Sequence, residues 1–343
     1  MPATFMDPMP AHGGQVRAVM RAFPDAPAPF VDLSTGISPY AYPFAMPDGA
    51  ALTRLPERDD EDRLRRVAAE AYGVADPDCV AAGPGTQMLI ALLPFLLGPR
   101  AVTILGPTYG GHADAWRGAG ARIHEVTGMQ DLEDAAAVPG GVCVVCNPNN
   151  PDGRVCDAAW LAALADRCAS YSGILIVDEA FADFESCSIA PLLPHPGLIV
   201  LRSFGKSYGL PGVRLGFALA APALAGRLRD IMGAWAVGTL ALAAGCQALA
   251  DRPWRDATRG RVRADAARLA RCLAREDIEV AGQSILFVLA RAAQAPSLWR
   301  FLCQRGLVAR AFPERPSWLR LGLPRRPDEW TRLEQALSAW RPA

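Results

Sequence analysis

The chain has 343 residues, of which 51% are hydrophobic and 20% are charged, and its formal net charge at pH 7 is zero. This composition is ordinary for a globular protein, and the length allows one large and one smaller domain. A balanced charge gives no overall field toward nucleic acid or an acidic membrane surface, so neither is expected as a partner.

The N-terminal segment, residues 1–31, is rich in proline and alanine and carries interspersed charges. A signal peptide has basic residues followed by an apolar run, and this order is not what the segment shows. We therefore expect no signal peptide, and we predict an N-terminal arm that packs with the smaller domain.

Between residues 32 and 225, short β-branched runs alternate with amphipathic segments. Strands are predicted over residues 102–105, 122–126, 142–146, 174–177, 198–201 and 215–219, with helices over residues 64–72, 88–97 and 160–171. The alternation predicts a large α/β domain in which a mostly parallel sheet is covered by helices on both faces.

Residues 226–343 form the predicted smaller α+β domain, with a helix over residues 259–275 and strands over residues 284–289 and 318–321. Residues 231–250 carry no charge over a length that could span a membrane. Because alanine and glycine dominate this stretch and a soluble α/β pattern precedes it, we predict a buried helix there rather than a membrane span.

Nine cysteines, an odd number, lie scattered in apolar segments. This pattern favours reduced, buried thiols and a cytoplasmic location over a disulfide framework. Cys143 and Cys146 form a Cys-x-x-Cys motif on one predicted strand, where an odd spacing sends the side chains to opposite faces. We therefore predict neither a redox pair nor a metal site from this motif.

Of the 35 lysine and arginine residues, a single one is a lysine, Lys206. Lysine can lose its proton and attack a carbonyl as a free amine, which arginine cannot do. A coding bias against lysine explains the count equally well, so the count alone leaves both explanations open.

Unusual residues follow the predicted strands at their carboxyl ends, where open α/β sheets carry functional residues. Gly83-Pro84-Gly85-Thr86 precedes a helix, which is typical of an anion site or of a plain turn. Asp178 ends an apolar strand, where its carboxylate either pairs with a buried cation or caps the next segment. Residues 147–153 have the composition of a loop, and Ser203 follows the next strand.

Together these segments resemble the pyridoxal-5′-phosphate enzymes of fold type I, the aspartate aminotransferase superfamily. Three segments carry the resemblance: Asn149-Asn150-Pro151-Asp152-Gly153, Val177-Asp178-Glu179-Ala180-Phe181, and Ser203-Phe204-Gly205-Lys206 followed by Arg214. Their order and spacing extend over most of the first two-thirds of the chain, which is far more specific than a single glycine motif.

The resemblance implies roles for these residues. Lys206 binds the cofactor covalently and then carries a proton, and Asp178 pairs with the pyridine nitrogen. Asn150 donates to the phenolic oxygen, and Tyr109 stacks on the ring as a further catalytic residue. Four residues are implied to grip the phosphate: Gly85, Thr86, Ser203 and Arg214.

The resemblance also implies the substrate contacts and the assembly. Arg320 in Trp318-Leu319-Arg320 resembles the arginine that binds the substrate carboxylate, although a surface arginine is the common alternative. Members of the superfamily are homodimers with active sites at the interface, which is expected here as well. Two departures from the usual pattern are Phe181 in place of a tyrosine and Leu55-Pro56-Glu57 in place of Tyr-Pro-Asp.

The N-terminal motifs narrow the resemblance further. His12-Gly13-Gly14 and the run Asp32-Leu33-Ser34-Thr35-Gly36 resemble the threonine-phosphate decarboxylases of cobalamin biosynthesis, as does Trp235-Ala236-Val237. Such lyases convert O-phospho-L-threonine to (R)-1-amino-2-propanol O-2-phosphate and CO2. The resemblance places His12 near the substrate phosphate, Gly36 at the mouth of the site and Asn150 against the substrate, whereas a mobile terminal arm is the alternative for His12.

Two other functions stay open on the sequence. One is an aminotransferase that acts on histidinol phosphate or a related amino acid. Histidinol-phosphate aminotransferases share the central motifs, and the same residues could serve either reaction with a small rotation of the substrate. A protein that kept the fold without catalysis is disfavoured, because a binding protein has no need of a reactive amine such as Lys206.

Overall fold

A computed structural model of the chain describes residues 10, 12–98 and 100–341. Its strands are β1 (Val31–Leu33), β2 (Val80–Gly83), β3 (Ala101–Leu105), β4 (Arg122–Val126), β5 (Val142–Cys146), β6 (Ile174–Asp178), β7 (Leu198–Ser203), β8 (Gly216–Ala220), β9 (Glu279–Ser284), β10 (Phe287–Arg291), β11 (Leu307–Ala311) and β12 (Trp318–Gly322). Its helices are α1 (Val16–Ala22), α2 (Gly49–Leu52), α3 (Arg58–Tyr72), α4 (Thr86–Leu97), α5 (Gly111–Gly118), α6 (Met129–Ala135), α7 (Ala158–Ser170), α8 (Phe204–Ser207), α9 (Pro222–Met232), α10 (Thr239–Ala250), α11 (Arg252–Arg275), α12 (Ala295–Cys303) and α13 (Pro327–Ala339).

The chain divides into two compact units. The larger unit contains residues Ala41–Asn150 and Arg154–Ala257, and the smaller one contains the described residues up to Tyr40, Pro151–Gly153 and the described residues from Thr258 onward. The sequence predicted domain boundaries after residues 31 and 225. These boundaries stay a prediction, because the two units are defined by compactness alone.

The larger unit is built on a seven-stranded sheet with the order β2-β8-β7-β6-β5-β3-β4. Only β8 runs antiparallel to its neighbours β7 and β2. Side chains alternate along the central strands: Val142 and Val144 join one apolar cluster, whereas Cys143 and Val145 join another on the opposite face. A strand that is buried on both faces needs an unbroken apolar run, as these strands have. The observed strand order and directions confirm the predicted mostly parallel α/β sheet.

The smaller unit contains a five-stranded sheet with the order β1-β11-β12-β10-β9. Strand β1 pairs parallel with β11, and the remaining pairs are antiparallel. Helices α11, α12 and α13 belong to the same unit, apart from the first residues of α11. The expected α+β character of the smaller part of the chain is therefore confirmed.

Two predictions of elements were wrong in detail. The uncharged stretch 231–250 is not one helix: α9 ends at Met232, and α10 begins only at Thr239. The interruption has a backbone cause, since Gly233 has φ +72° and Trp235 has φ +60°. In no part of the chain that the structure describes is a helix long and apolar enough to cross a membrane.

The predicted strand over residues 284–289 is also two elements. Strand β9 ends at Ser284, and β10 starts at Phe287, with Ser284 and Phe287 as register partners across a tight turn. Ile285 and Leu286 in that turn are buried, so the apolar run concealed the reversal of the chain.

Candidate active site

The cavity at the carboxyl edge of the large sheet collects most of the residues that the motifs predicted. It has a volume of about 190 Å³ and lies within the larger unit. Strands β5, β6 and β7 are parallel neighbours, so the segments that follow them meet at one edge. All eight residues predicted to hold the cofactor line the cavity: Gly85, Thr86, Tyr109, Asn150, Asp178, Ser203, Lys206 and Arg214.

Asp178 is the buried acid of the cavity. It is the last residue of β6, and one carboxylate oxygen lies 2.9 Å from Nε2 of His112. The other oxygen accepts a hydrogen bond of 3.0 Å from the backbone N–H of Ala180, so Asp178 also caps the following turn. Both alternatives that the sequence left open, a cation partner and a local cap, are thus present together.

His112 is the cation partner of Asp178, and none of the sequence motifs indicated it. The imidazole lies in α5 and is completely buried. Burial by itself lowers the pKa of His112, but hydrogen bonds with Asp178 and Cys146 outweigh it and raise the pKa to about 10. The direction of this shift favours the protonated imidazole beside Asp178. His112 lies near the start of α5, three residues after Tyr109, but its role depends on Asp178, which is 66 positions further along the chain.

Lys206 presents its amine at the cavity from the short helix α8. The ammonium nitrogen lies 5.3 Å from the centre of the Phe181 ring, within the range of a cation–π contact. The position before Lys206 is a glycine for a steric reason: a Cβ at Gly205 would lie 2.8 Å from Cα of Pro211, which is too close. The lone lysine of the chain therefore lies at the motif that predicted it, with an aromatic ring beneath its charge.

Gly85, Thr86, Ser203 and Arg214 line one part of the cavity, where Thr86 begins α4. The first N–H groups of a helix have no partner within the helix, and the helix dipole makes that end favourable for an anion. Gly85 has φ +89°, and a Cβ there would lie only 2.5 Å from a guanidinium nitrogen of Arg214. The glycine therefore allows the arginine to approach the helix start closely, which creates a cationic corner suited to a phosphate group.

Tyr109 lies on the cavity wall and is held by a residue that the motifs did not indicate. Its hydroxyl donates a hydrogen bond of 2.6 Å to the side-chain oxygen of Gln87. Burial raises the pKa of Tyr109, and the charge of Asp178 adds to the shift. The Tyr109 and His112 rings meet edge to face, with their centroids 6.3 Å apart. The phenol is therefore kept neutral and fixed in orientation.

A second layer of buried charge lies directly behind the cavity. Arg202 pairs with Glu179 at 2.6 Å and also with Asp183, and its guanidinium lies 4.5 Å from the centre of the Tyr72 ring. Thr86 adds a link, because its hydroxyl donates to the backbone carbonyl of Arg202 at 3.1 Å. The layer connects the residues that follow β6 with those that end β7.

The donors and acceptors of this cavity fit pyridoxal 5′-phosphate. The cationic corner formed by Arg214 and the start of α4 suits the phosphate. Asp178 with His112 suits a protonated ring nitrogen, and the Lys206 amine suits the aldehyde. A buried carboxylate in this position is costly unless it has cationic partners, which His112 on the protein and the protonated ring nitrogen of the cofactor can supply.

The remaining predicted substrate residues, His12, Gly36 and Arg320, belong to the smaller unit. His12 is exposed, whereas Gly36 and Arg320 are buried. The arm beside His12 packs on Ser34, whose hydroxyl accepts a 2.8 Å hydrogen bond from the N–H of Gly14. Arg320 donates to the backbone carbonyl of Ser34 at 2.9 Å. The N-terminal motif and the predicted carboxylate-binding arginine therefore meet at one serine, and their roles toward substrate stay predictions.

Comparisons with known proteins agree with this geometry. The sequence profile of the family described as aminotransferase class I and II matches residues 11–337. A threonine-phosphate decarboxylase from Pseudomonas aeruginosa is 40% identical over 333 residues, which cover 96% of this chain and 98% of that protein. Histidinol-phosphate aminotransferase 3 from Mesorhizobium japonicum is 32% identical, with 88% of this chain and 86% of that protein covered.

The fold is shared with a solved structure, histidinol-phosphate aminotransferase from Sinorhizobium meliloti in complex with pyridoxal-5′-phosphate. The TM-score is 0.80 at 21% identity, with 98% of this chain and 96% of the solved chain covered. At that identity the likeness shows the fold, and the identities of the two sequence relatives carry the functional comparison.

Proposed function

Because the chain belongs to the aminotransferase class I and II family, we propose that it is a pyridoxal-5′-phosphate enzyme that decarboxylates O-phospho-L-threonine. The products are (R)-1-amino-2-propanol O-2-phosphate and CO2, and the reaction belongs to cobalamin biosynthesis. One observation carries the choice of reaction: the chain is 40% identical over nearly its whole length to a threonine-phosphate decarboxylase, against 32% to a histidinol-phosphate aminotransferase.

Each residue of the cavity has a role that follows from its chemistry. When bound, pyridoxal phosphate supplies an electron-withdrawing ring that weakens a bond to the substrate Cα. Asp178, which lies 2.9 Å from Nε2 of His112, would hold the protonated ring nitrogen. Lys206 would hold the cofactor through its aldehyde and would supply the proton that the substrate Cα takes up in place of CO2. Thr86 and Ser203 hold the cofactor phosphate together with Arg214.

The outcome of the reaction depends on which Cα bond stands perpendicular to the ring. A decarboxylase holds the carboxylate in that direction, whereas an aminotransferase holds the proton there. We propose that Arg320 binds the substrate carboxylate, that His12 lies near the substrate phosphate and that Gly36 lies at the mouth of the site. Asn150, which lines the cavity, donates to the phenolic oxygen and contacts the substrate. Phe181 cannot make the second hydrogen bond to that oxygen that a tyrosine would make.

We further propose that the enzyme is a homodimer in the cytoplasm. Apolar side chains lie exposed on the larger unit beside α10, where Leu55 is 63% and Trp235 is 55% exposed. A surface of this kind favours burial against another protein, and a second copy of the chain is the partner that we propose. All nine cysteines lie in described parts of the chain and none is in a disulfide, which supports the proposal of a reducing compartment.

The reaction product tests the proposal directly. The purified holoenzyme is incubated with O-phospho-L-threonine and no 2-oxo acid, and aminopropanol phosphate and CO2 are measured together. Both should form in equal amounts, and Lys206→Ala should form neither. Turnover that requires 2-oxoglutarate would make the protein an aminotransferase instead, and absence of a cofactor absorbance band would remove the family's chemistry altogether.

A further inference from the structure

Three potential metal ligands meet on the wall of the cavity. His112, Cys146 and Asp178 offer a nitrogen, a sulfur and an oxygen atom, which all lie within 4.8 Å of one another. In the described ranges, no second group of histidine, cysteine and acidic side chains comes together in this way. We propose that the cofactor-free protein binds one zinc ion at these three residues, and that zinc and the cofactor exclude each other.

The backbone fixes two of the ligands in register. Cys146 and Asp178 are the last residues of β5 and β6, and they are partners across this parallel pair. Their side chains therefore leave the sheet on the same face, whereas Cys143, an odd number of residues away, belongs to the cluster on the opposite face. The metal site thus uses only one sulfur of the Cys-x-x-Cys motif, together with residues from two other elements.

The distances suit a zinc ion. Zinc binds nitrogen and oxygen at about 2.0–2.2 Å and sulfur at about 2.3 Å, so two ligand atoms on one ion lie roughly 3.4–3.7 Å apart. Nε2 of His112 and the carboxylate oxygen of Asp178 are 2.9 Å apart and need to separate by only a fraction of an ångström. The sulfur of Cys146 lies within 4.8 Å of both of these atoms.

The charges also balance. The exposed fractions of His112, Cys146 and Asp178 are 0%, 4% and 5%, so an uncompensated ion would be strongly disfavoured there. Zinc with one thiolate, one carboxylate and a neutral imidazole has no net charge. As the ion binds, the Cys146 thiol and the His112 Nε2 each release a proton to solvent. No oxidant or reductant is involved.

The ion can reach the site and can leave it again. Cys146 and Asp178 line the cavity, so a fourth coordination position faces its interior and can take a water molecule. Nδ1 of His112 is buried without a hydrogen-bond partner. Zinc-bound histidines usually donate from the second ring nitrogen, and the lack of an acceptor predicts binding weaker than at structural zinc sites.

Exclusion of the cofactor follows from Asp178, and this step rests on the proposed function. The same carboxylate cannot bind zinc and hold a proton at the ring nitrogen. Zinc on Asp178 therefore blocks the cofactor, and bound cofactor removes one of the three metal ligands. The consequence is that free zinc slows conversion of newly made protein to holoenzyme.

Cobalt tests the site, because Co²⁺ replaces zinc and gives a thiolate-to-metal absorbance band in the near ultraviolet. The full-length chain, freed of cofactor, is titrated with Co²⁺ alone. One equivalent should produce the band, which zinc should then abolish. Cys146→Ala should lose the band and bind Co²⁺ at least about tenfold more weakly. Cys143→Ala, three residues earlier on the same strand, is the matched control and should keep it.

Two outcomes overturn the metal site: no thiolate band in the wild type, or a band that survives in Cys146→Ala. A second titration adds pyridoxal phosphate to the cobalt-loaded protein, and loss of the band as cofactor binds supports exclusion. Retention of the full band with bound cofactor overturns exclusion. Failure of the metal-free protein to bind pyridoxal phosphate counts against the proposed function instead, and leaves the result of the first titration standing.

Discussion

Arg202 and Glu179 form a buried ion pair, with 2.6 Å between a guanidinium nitrogen and a carboxylate oxygen, directly beside two residues of the proposed active site. Glu179 follows Asp178 in the chain, and Arg202 precedes Ser203. A buried ion pair is weak evidence for stability, because removing two charges from water offsets most of their attraction. The position of this pair suggests that it aligns the ends of β6 and β7.

Removing the charge of one partner should strongly destabilise the folded protein. Glu179→Gln leaves the Arg202 charge with Asp183 alone in the interior, and we expect a loss of about 3 kcal/mol or more in the free energy of unfolding. Urea denaturation of the holoenzyme measures it. Glu70→Gln is the matched control, since the Glu70–Arg252 pair is exposed and should contribute less than about 1 kcal/mol. Equal effects of the two substitutions would show that the buried pair has no special role.

Lys206→Arg should be as inactive as Lys206→Ala. The guanidinium keeps the positive charge near the Phe181 ring but cannot act as a free amine. We expect loss of the visible absorbance of covalently bound cofactor in both variants, with turnover reduced by several orders of magnitude. Lys206→Arg with substantial turnover would contradict the assignment of the amine.

The stability contributed by His112 should depend on pH. Its pKa rises from 6.5 to about 10 in the folded protein, because the hydrogen bonds to Asp178 and Cys146 outweigh burial. A raised pKa stabilises the fold fully below pH 6.5, and this contribution disappears as the pH rises toward 10, at up to about 1.4 kcal/mol per pH unit. His112→Asn has no such titration. The difference in unfolding free energy between wild type and variant, measured without cofactor, should therefore shrink from pH 7 to pH 9. A difference that stays constant would contradict the raised pKa.

The sequence predicted the sheet and most of the cavity because their signals are local. Apolar runs marked β5, β6 and β7, and the residues after each run lie at one edge of the sheet. His112 escaped notice because its role depends on a contact with a residue 66 positions away. The break between α9 and α10 was missed for another reason: an uncharged run shows no periodicity with which to place an end.

Gly85 and Gly98 flank the two ends of α4. Alanine at each position distinguishes the effect of a steric clash on cofactor binding from the effect of backbone strain. Both have positive φ, +89° and +74°, so alanine should cost each of them about 1–2 kcal/mol in stability. At Gly85 the added Cβ would lie 2.5 Å from Arg214, whereas at Gly98 no atom of the described residues beyond its chain neighbours lies within 4 Å. Gly85→Ala should therefore push Arg214 aside and weaken pyridoxal phosphate binding roughly tenfold or more, whereas Gly98→Ala should leave it unchanged. Equilibrium titration of the cofactor-free variants measures both affinities. If the two variants lose the same affinity, backbone strain in α4 rather than contact with Arg214 determines how tightly the cationic corner binds the cofactor phosphate.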